Sequence, residues 1–396
     1  GGIDHGNYVT KGMAEVLAAY NCALIADMFG DAPCSQAALI DENGSPVYLT
    51  PKMDKQEEIY TQAMQYLDDA IADLQKEDLI DPEAQDLLYQ GDAEKWLKLA
   101  YGLKARYTMH LLKRSANKDA DMEKVLEYVN NSFESAEEQA AFDVYDANNI
   151  NPLYGFFVAR AGLGASESMR SKLAEYNDPR LSRAFITKQG TSGKEQAPGT
   201  ADNAVYAPNG TPEQGTSKYG TSLFMYSISA PTLLLSYHEL KFLEAEALCR
   251  LERDAKSALK DAVVAGLLNA ENSFTISRKE LGKTLINAAS SITEAEAESY
   301  FDNTIEAKYT AEPLKTTMTQ KYFALWGASG EATESYNDVR RMKGLGENFI
   351  ELKNPNSFPL RCPYGNSDTT TNAEVKAAYG NGQYVYSENV WWAGGS

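Results

Sequence analysis

Apolar residues recur at helical spacing through the first third of the chain, and that recurrence leaves few folds open. Met13, Val16, Leu17, Tyr20 and Leu24 form one stripe, and Ile59, Ala63, Leu67, Ala70, Ile71 and Leu74 form a second. A third has Trp96, Ala100, Leu103, Tyr107 and Leu111 on one side, with Asp92 placed ahead of it as a helix cap. The fourth runs over about residues 121–131 through Met122, Val125, Leu126 and Val129. Together they predict two antiparallel helix pairs. Hydrophobic residues make up 43% of the chain, enough for such pairs to enclose a real core.

The middle changes character. Over residues 141–230 the sequence is rich in Gly, Ser, Thr, Asn and Pro, and residues 190–220 are loop by composition. Loops that long in a compact chain are functional or disordered. Tyr206, Tyr219, Phe224 and Tyr226 punctuate the latter part and favour partial order. Helices are expected again after Pro231, a good helix-start residue: residues 233–251, apolar almost all round, then 255–268, 293–301 and 305–326. The tail from Gly344 is irregular. Helix pairs at intervals of roughly 35–45 residues predict stacked helix–turn–helix units of the tetratricopeptide kind. The expected fold is therefore mostly all-α and a single domain. Tetratricopeptide-like helix pairs form the scaffold (residues 1–140 and 231–343), and 141–230 and 344–396 are its loop-rich portions.

Composition closes off several functions. A formal net charge of −19 argues against a nucleic-acid surface and against docking on anionic lipid. No apolar run is expected to reach the ~20 residues of a membrane span. The chain opens Gly1-Gly2-Ile3, without initiating Met or leader, so an export or lipid-anchor signal is expected to have been trimmed away. Cys22, Cys34, Cys249 and Cys362 lack CxxC spacing, which excludes the usual zinc and thioredoxin-like patterns. Cys22 and Cys34 could pair in an exported chain, although buried free thiols are the commoner state.

Catalytic motifs are missing too. His5, His110 and His238 have no metal-ligand spacing, and His110 and His238 read as hydrogen-bonded structural residues. There is no nucleophile elbow, P-loop or dinucleotide fingerprint. The Asp41-Glu42-Asn43-Gly44 turn hints at calcium, but an EF-hand would need Gly at Pro46 and Glu at Lys52. Glu239, Glu244 and Glu246 on the apolar helix could serve as a buried acid pair. More simply, they bond to helix ends or to arginines such as Arg340 and Arg341.

A series of blocks spans nearly the whole chain. Ala26-Asp27-Met28-Phe29-Gly30-Asp31-Ala32-Pro33 ends the first helix, and Thr50-Pro51-Lys52-Met53-Asp54 leads to Glu57-Glu58-Ile59-Tyr60. Then come Leu67-Asp68-Asp69-Ala70-Ile71, Gly91-Asp92-Ala93-Glu94-Lys95-Trp96, Asn151-Pro152-Leu153-Tyr154 and Asn177-Asp178-Pro179-Arg180-Leu181. Glu239, Phe242-Leu243, Ala245-Glu246-Ala247, Gln320-Lys321-Tyr322, Tyr336-Asn337-Asp338-Val339-Arg340-Arg341 and Val390-Trp391-Trp392 complete it. In this order the blocks resemble the SusD/RagB family, in its SusD-like subgroup of nutrient-binding lipoproteins of Bacteroidetes. Tyr336 departs from it, standing where the family often has Trp, and a segment that the family carries before its first helix pair is not found here.

The resemblance implies tetratricopeptide-like helix pairs supporting a loop-rich half. It also implies a lipid-anchored position at the cell surface, on the outer membrane, with the anchor outside this sequence. The implied role is capture of an oligosaccharide or other nutrient for a SusC-like TonB-dependent transporter. No reaction, cofactor or metal is implied.

Sugar capture needs flat apolar faces for the C–H side of a pyranose and planar polar groups for its hydroxyls. Among 24 tyrosines, Tyr20, Tyr60, Tyr66 and Tyr107 fall in helix seams and read as packing. Those in irregular segments are candidates for ligand contact: Tyr48, Tyr154, Phe156, Phe157, Tyr206 and Tyr219, with Asn151, Arg160 and Asn203 as polar partners. Trp391 and Trp392 are expected to pack against the body. Two other functions remain open at this point: a helical-repeat scaffold that binds proteins, and a helical glycoside hydrolase or lyase using the Glu239–Glu246 stretch.

Overall fold

The computed structural model describes residues 6–79, 82–160, 163–187, 196–199, 205–210 and 218–396. In chain order the helices are α1 (Tyr8–Phe29), α2 (Gln56–Asp73), α3 (Ala93–His110), α4 (Lys118–Asn130), α5 (Pro152–Arg160), α6 (Glu167–Glu175), α7 (Tyr237–Arg250) and α8 (Lys256–Leu281). There follow α9 (Glu294–Tyr300), α10 (Glu306–Ala311), α11 (Pro313–Ala324), α12 (Ala332–Leu345), α13 (Asn366–Thr371), α14 (Ala373–Tyr379) and α15 (Tyr384–Ser387). Four short strands are β1 (Ala140–Phe142), β2 (Phe185–Ile186), β3 (Thr221–Ser222) and β4 (Thr232–Leu235). The expectation of a mostly helical, tetratricopeptide-like protein holds.

The chain forms two compact units. The first comprises residues 1–133, 336–348 and 357–396. Here α1 packs on α2, and α3 packs on α2 and α4. The capping prediction holds: the Asp92 carboxylate accepts from the Glu94 and Lys95 amides at 3.1 and 3.2 Å. On α1 the buried face is Val9, Met13, Val16, Ala19, Ala23 and Ala26, whereas Leu17, predicted to face inward, is 38% exposed. The alanines let α2 approach closely, so small residues rather than the leucine mark the packed face. By length and composition alone α1 could cross a membrane, contrary to the expectation that no apolar run is long enough. Its inward face is occupied by α2 and α3.

A buried polar knot closes the first unit. Asp27 accepts hydrogen bonds from the Tyr60 hydroxyl, from Trp392 Nε1 at 2.9 Å and from Asn337 Nδ2 at 3.2 Å. His110 Nδ1 lies 3.5 Å from the same carboxylate, and its ring stacks on Trp392. Arg340 donates to the Asp27 carbonyl at 2.6 Å, and its guanidinium lies over the Tyr336 ring. Burial pushes the Arg340 pKa down, so nearby oxygens and rings are needed to keep the charge there. His110 and Trp392 are thus structural, as the sequence suggested.

The second unit comprises residues 134–335 and 349–356. Its core is built from α6 through α11, with Phe185, Phe224, Phe242, Phe274, Phe301 and Phe323 near its centre. At Gly266 a Cβ would meet the Ala324 Cβ at 2.8 Å, so the glycine permits the close crossing of α8 and α11. The Asn177–Leu181 block is a buried clamp. Arg180 Nε and Nη2 fork onto Asp178 at 2.8 and 2.6 Å, and Nη1 donates to the Phe323 carbonyl at 2.8 Å.

Several boundaries differ from expectation for identifiable reasons. Residues after Pro231 begin as β4, paired antiparallel with β1, and the helix starts only after Ser236, whose hydroxyl caps Glu239 N at 3.0 Å. The helix expected over 255–268 runs on to Leu281, because Ala270, Phe274 and Ser277 keep the inward face going. The span 305–326 is broken at Glu312, which takes φ −142° ahead of Pro313, as the residue before proline must. Within residues 141–230, α5 and α6 are ordered helices that composition concealed.

Candidate ligand-binding surface

Helix α5 is anchored at its start and inverted in its exposure. Asn151 Oδ1 accepts from the Leu153 and Tyr154 amides at 2.9 and 3.3 Å, while its Nδ2 donates to the Ala230 and Ala328 carbonyls at 2.8 and 3.3 Å. All the bonding capacity of this 1% exposed amide serves the fold. Only Phe157 of the nine helix residues is buried, set edge-on against Tyr226 at 5.3 Å. Phe156 is 52% exposed and Val158 60%, and Arg160 is also exposed.

The sequence of α5, PLYGFFVAR, carries one charge, so an ordinary surface helix would bury far more of it. Phe156 and Arg160 share one flank by their i,i+4 spacing, and Tyr154 and Val158 share the other. The small residues Pro152, Gly155 and Ala159 lie between the flanks, leaving the outward face low. On the second flank the Tyr154 hydroxyl donates to Glu280 Oε1 at 3.1 Å. Burial, and then this hydrogen bond, pushes the Tyr154 phenol up, so it remains a neutral donor at physiological pH.

The other predicted contacts are dispersed. Tyr206 is half-buried, edge-on to Phe185 at 5.3 Å and beneath the Arg170 guanidinium. Tyr219 is buried at 4% exposure, with the Lys218 ammonium over its ring. Asn203 lies outside the described residues. Tyr48 belongs to the first unit, on a hairpin whose residues 38–50 are all exposed. There Asp41 Oδ1 accepts from the Asn43 and Ser45 amides, each at 2.9 Å, so the turn that hinted at calcium is closed by its own backbone.

The base of that hairpin rests on Asp54, which is buried. It accepts from Cys34 N at 3.0 Å, Ser35 N at 2.7 Å and the Ser35 hydroxyl at 2.7 Å, and pairs with Lys52 at 2.9 Å. Burial pushes this carboxyl up, but those hydrogen bonds outweigh it and hold it below the usual range. A depressed folded-state pKa contributes stability above the unfolded value of about 3.9, lost as pH falls through the folded one. The Cys34 and Ser35 amides are therefore expected to resist hydrogen exchange at about pH 5 and to lose protection as the pH falls through the lowered Asp54 pKa. Protection unchanged below that pKa would contradict this account.

Two clefts went unnoticed in the sequence. One, of about 430 Å³, lies along α8 in the second unit, lined by apolar Val264 and Leu268, the amides Asn269 and Asn272, and charged Lys260 and Glu298 among others. Asn269 and Asn272 lie beyond the helix end expected from periodicity, which hid the amide ladder. The other, of about 320 Å³, lies in the first unit between Phe29, Leu49, Pro51 and Val375.

Two carboxylates of α7, Glu244 and Glu246, are engaged by neighbours on their own helix. Glu246 is fully buried and accepts from Arg250 Nε and Nη2 at 2.8 Å, and Glu244 pairs with Lys241. Arg250, one turn further along the same helix, is thus a partner of Glu246. His238 Nε2 lies 3.2 Å from Glu331 in a buried pair.

Helix pairs stacked in this way define a fold class, the tetratricopeptide-like helical scaffold. The chain belongs to the SusD-like family, whose description, starch-binding associating with outer membrane, matches over residues 3–364. The crystal structure of a SusD/RagB family protein from Bacteroides thetaiotaomicron is 67% identical, with a TM-score of 0.94 over 99% of this chain and 82% of that one. A chitin-binding protein (21% identical, TM-score 0.72, 99% of this chain and 82% of that one) shares the fold. So does a SusD homolog from Bacteroides fragilis (20% identical, TM-score 0.72, 98% and 85%). No curated protein matches.

Proposed function

We propose that the protein captures an oligosaccharide or other nutrient at the cell surface, without chemical change, and delivers it to a SusC-like TonB-dependent transporter. A lipid anchor outside this sequence would hold it on the outer membrane. The outward-turned aromatic helix α5 carries the reading. Phe156 and Tyr154 offer flat apolar faces to sugar rings, Arg160 offers donors for paired hydroxyls, and the Tyr154 oxygen, its proton engaged by Glu280, offers an acceptor. Phe157 and Asn151 hold α5 in place, Tyr206 packs on Phe185, Tyr219 is buried, and Tyr48 belongs to the first unit.

Family membership supports a nutrient-binding role at the outer membrane. Engagement of Glu246 by Arg250 speaks against a hydrolytic acid on α7, since a paired, charge-stabilised carboxylate is a poor proton donor. A protein contact is favoured by a separate observation: the hairpin exposes Leu39, Ile40, Val47, Tyr48 and Leu49 together. That supports a transporter partner alongside ligand capture. Isothermal titration with α-glucan and chitin oligosaccharides tests the reading. Saturable binding of one class is expected; no binding to these or to a wider nutrient panel would overturn it.

A further inference from the structure

Cys22 and Cys34 are the two cysteines whose sulfurs meet. Cys22 sits on α1 and Cys34 opens the loop that carries the exposed hairpin. Their Sγ atoms are 3.2 Å apart, a small side-chain rotation from a bond of about 2.05 Å. Cys34 does not reach this place by chance. Its amide is held by Asp54, and Ala32 and Asp54 exchange backbone hydrogen bonds at 3.1 and 3.0 Å, closing the loop base. Both side chains are half-buried, so an oxidant can reach them. Cys249 lies beside Thr317 in the second unit, and Cys362 donates its amide to the Met28 carbonyl.

We propose that Cys22 and Cys34 form a disulfide when the chain is exported, stapling the exposed apolar hairpin to α1. The inference rests on the family's association with the outer membrane, which places the chain beyond the reducing cytosol. The oxidant is a protein disulfide of the thiol–disulfide exchange class. The Cys22 thiolate attacks one carrier sulfur, forming a mixed disulfide and releasing one carrier thiol. Cys34 then loses its proton and attacks Cys22 Sγ, displacing the second carrier thiol. Two electrons and two protons pass to the carrier, which leaves as a dithiol.

The order of attack follows from the contact itself. The hydrogen bond from Cys34 favours the Cys22 thiolate and lowers its pKa, while the same contact, then burial, raises that of Cys34. The staple has a purpose. Residues 38–50 are all exposed, with five large apolar side chains among them, and such a hairpin has little packing to hold it in one shape. Tying its entry to α1 removes freedom from the unfolded chain and fixes where the apolar surface is presented.

The test uses the chain exported to an oxidising compartment and purified without reductant. Denaturation with alkylation, then peptide mapping, is expected to show Cys249 and Cys362 alkylated and Cys22 linked to Cys34. Intact mass should lie about 2 Da below that of the reduced protein. Alkylation of all four cysteines, or linkage of Cys22 to another residue, overturns the proposal. Limited proteolysis reads the staple independently: the hairpin of the reduced protein and of a Cys22→Ser variant should be cleaved at least about fivefold faster than in the oxidised protein. Equal rates would overturn the stapling role.

Discussion

Replacing Asp27 with alanine is expected to destabilise the first unit by about 3–5 kcal/mol. The carboxylate is 2% exposed and takes hydrogen bonds from Tyr60, Trp392 and Asn337, with His110 beside it. Removing the carboxylate deletes three buried hydrogen bonds at once, at about 1–3 kcal/mol apiece before relaxation. The effect extends along the chain, because Trp392 also donates its amide to Gln56 Oε1 at 3.1 Å and stacks on His110. Denaturant unfolding followed by tryptophan fluorescence measures this. Trp392→Phe removes one donor and part of a fully buried indole, so it should cost about 2–4 kcal/mol. A loss below about 1 kcal/mol for Asp27→Ala would mean that the knot is not what closes this unit.

The second large effect is on binding. Phe156→Ala is expected to weaken affinity for the cognate oligosaccharide by about tenfold or more, equivalent to about 1.4 kcal/mol. Being half-exposed, Phe156 contributes little to folding, and the unfolding midpoint should stay within about 0.5 kcal/mol of wild type. Tyr154→Phe keeps the face and removes the donor to Glu280, so its loss should be smaller than that of Tyr154→Ala. Unchanged affinity in both Phe156→Ala and Tyr154→Ala would discard α5 as the ligand surface.

The first four helices were legible because each carries an apolar stripe, and α3 and α4 add side-chain caps at Asp92 and Asn117, whereas α13, α14 and α15 lie in a tail that composition marks as irregular. Periodicity failed where the physical cause was not periodic. Helix α5 has no buried stripe to detect, since only Phe157 faces inward, so its nine residues read as loop. The strand after Pro231 is held by pairing with Ala140–Phe142, nearly a hundred residues earlier, which no local window contains.

The candidate site was readable in residue type and not in placement. Aromatic residues in irregular segments pointed to Phe156, which is exposed, and to Tyr154, which is half-buried. The same signal selected Tyr219 and Phe157, which the fold buries, because composition does not say which way a side chain turns. Asn151 stood out as a polar group beside aromatics, but its spacing before Pro152 was that of a helix cap. The amides along α8 gave no signal at all, since Asn269 and Asn272 lay past the expected helix end.

The central claim is capture without chemistry. Its most direct test is calorimetric titration with starch- and chitin-type oligosaccharides, followed by chromatographic analysis of the recovered sugar. The account predicts saturable binding to one class, with the oligosaccharide returned at its original length. Shortened products, or the absence of binding across the panel, would contradict it.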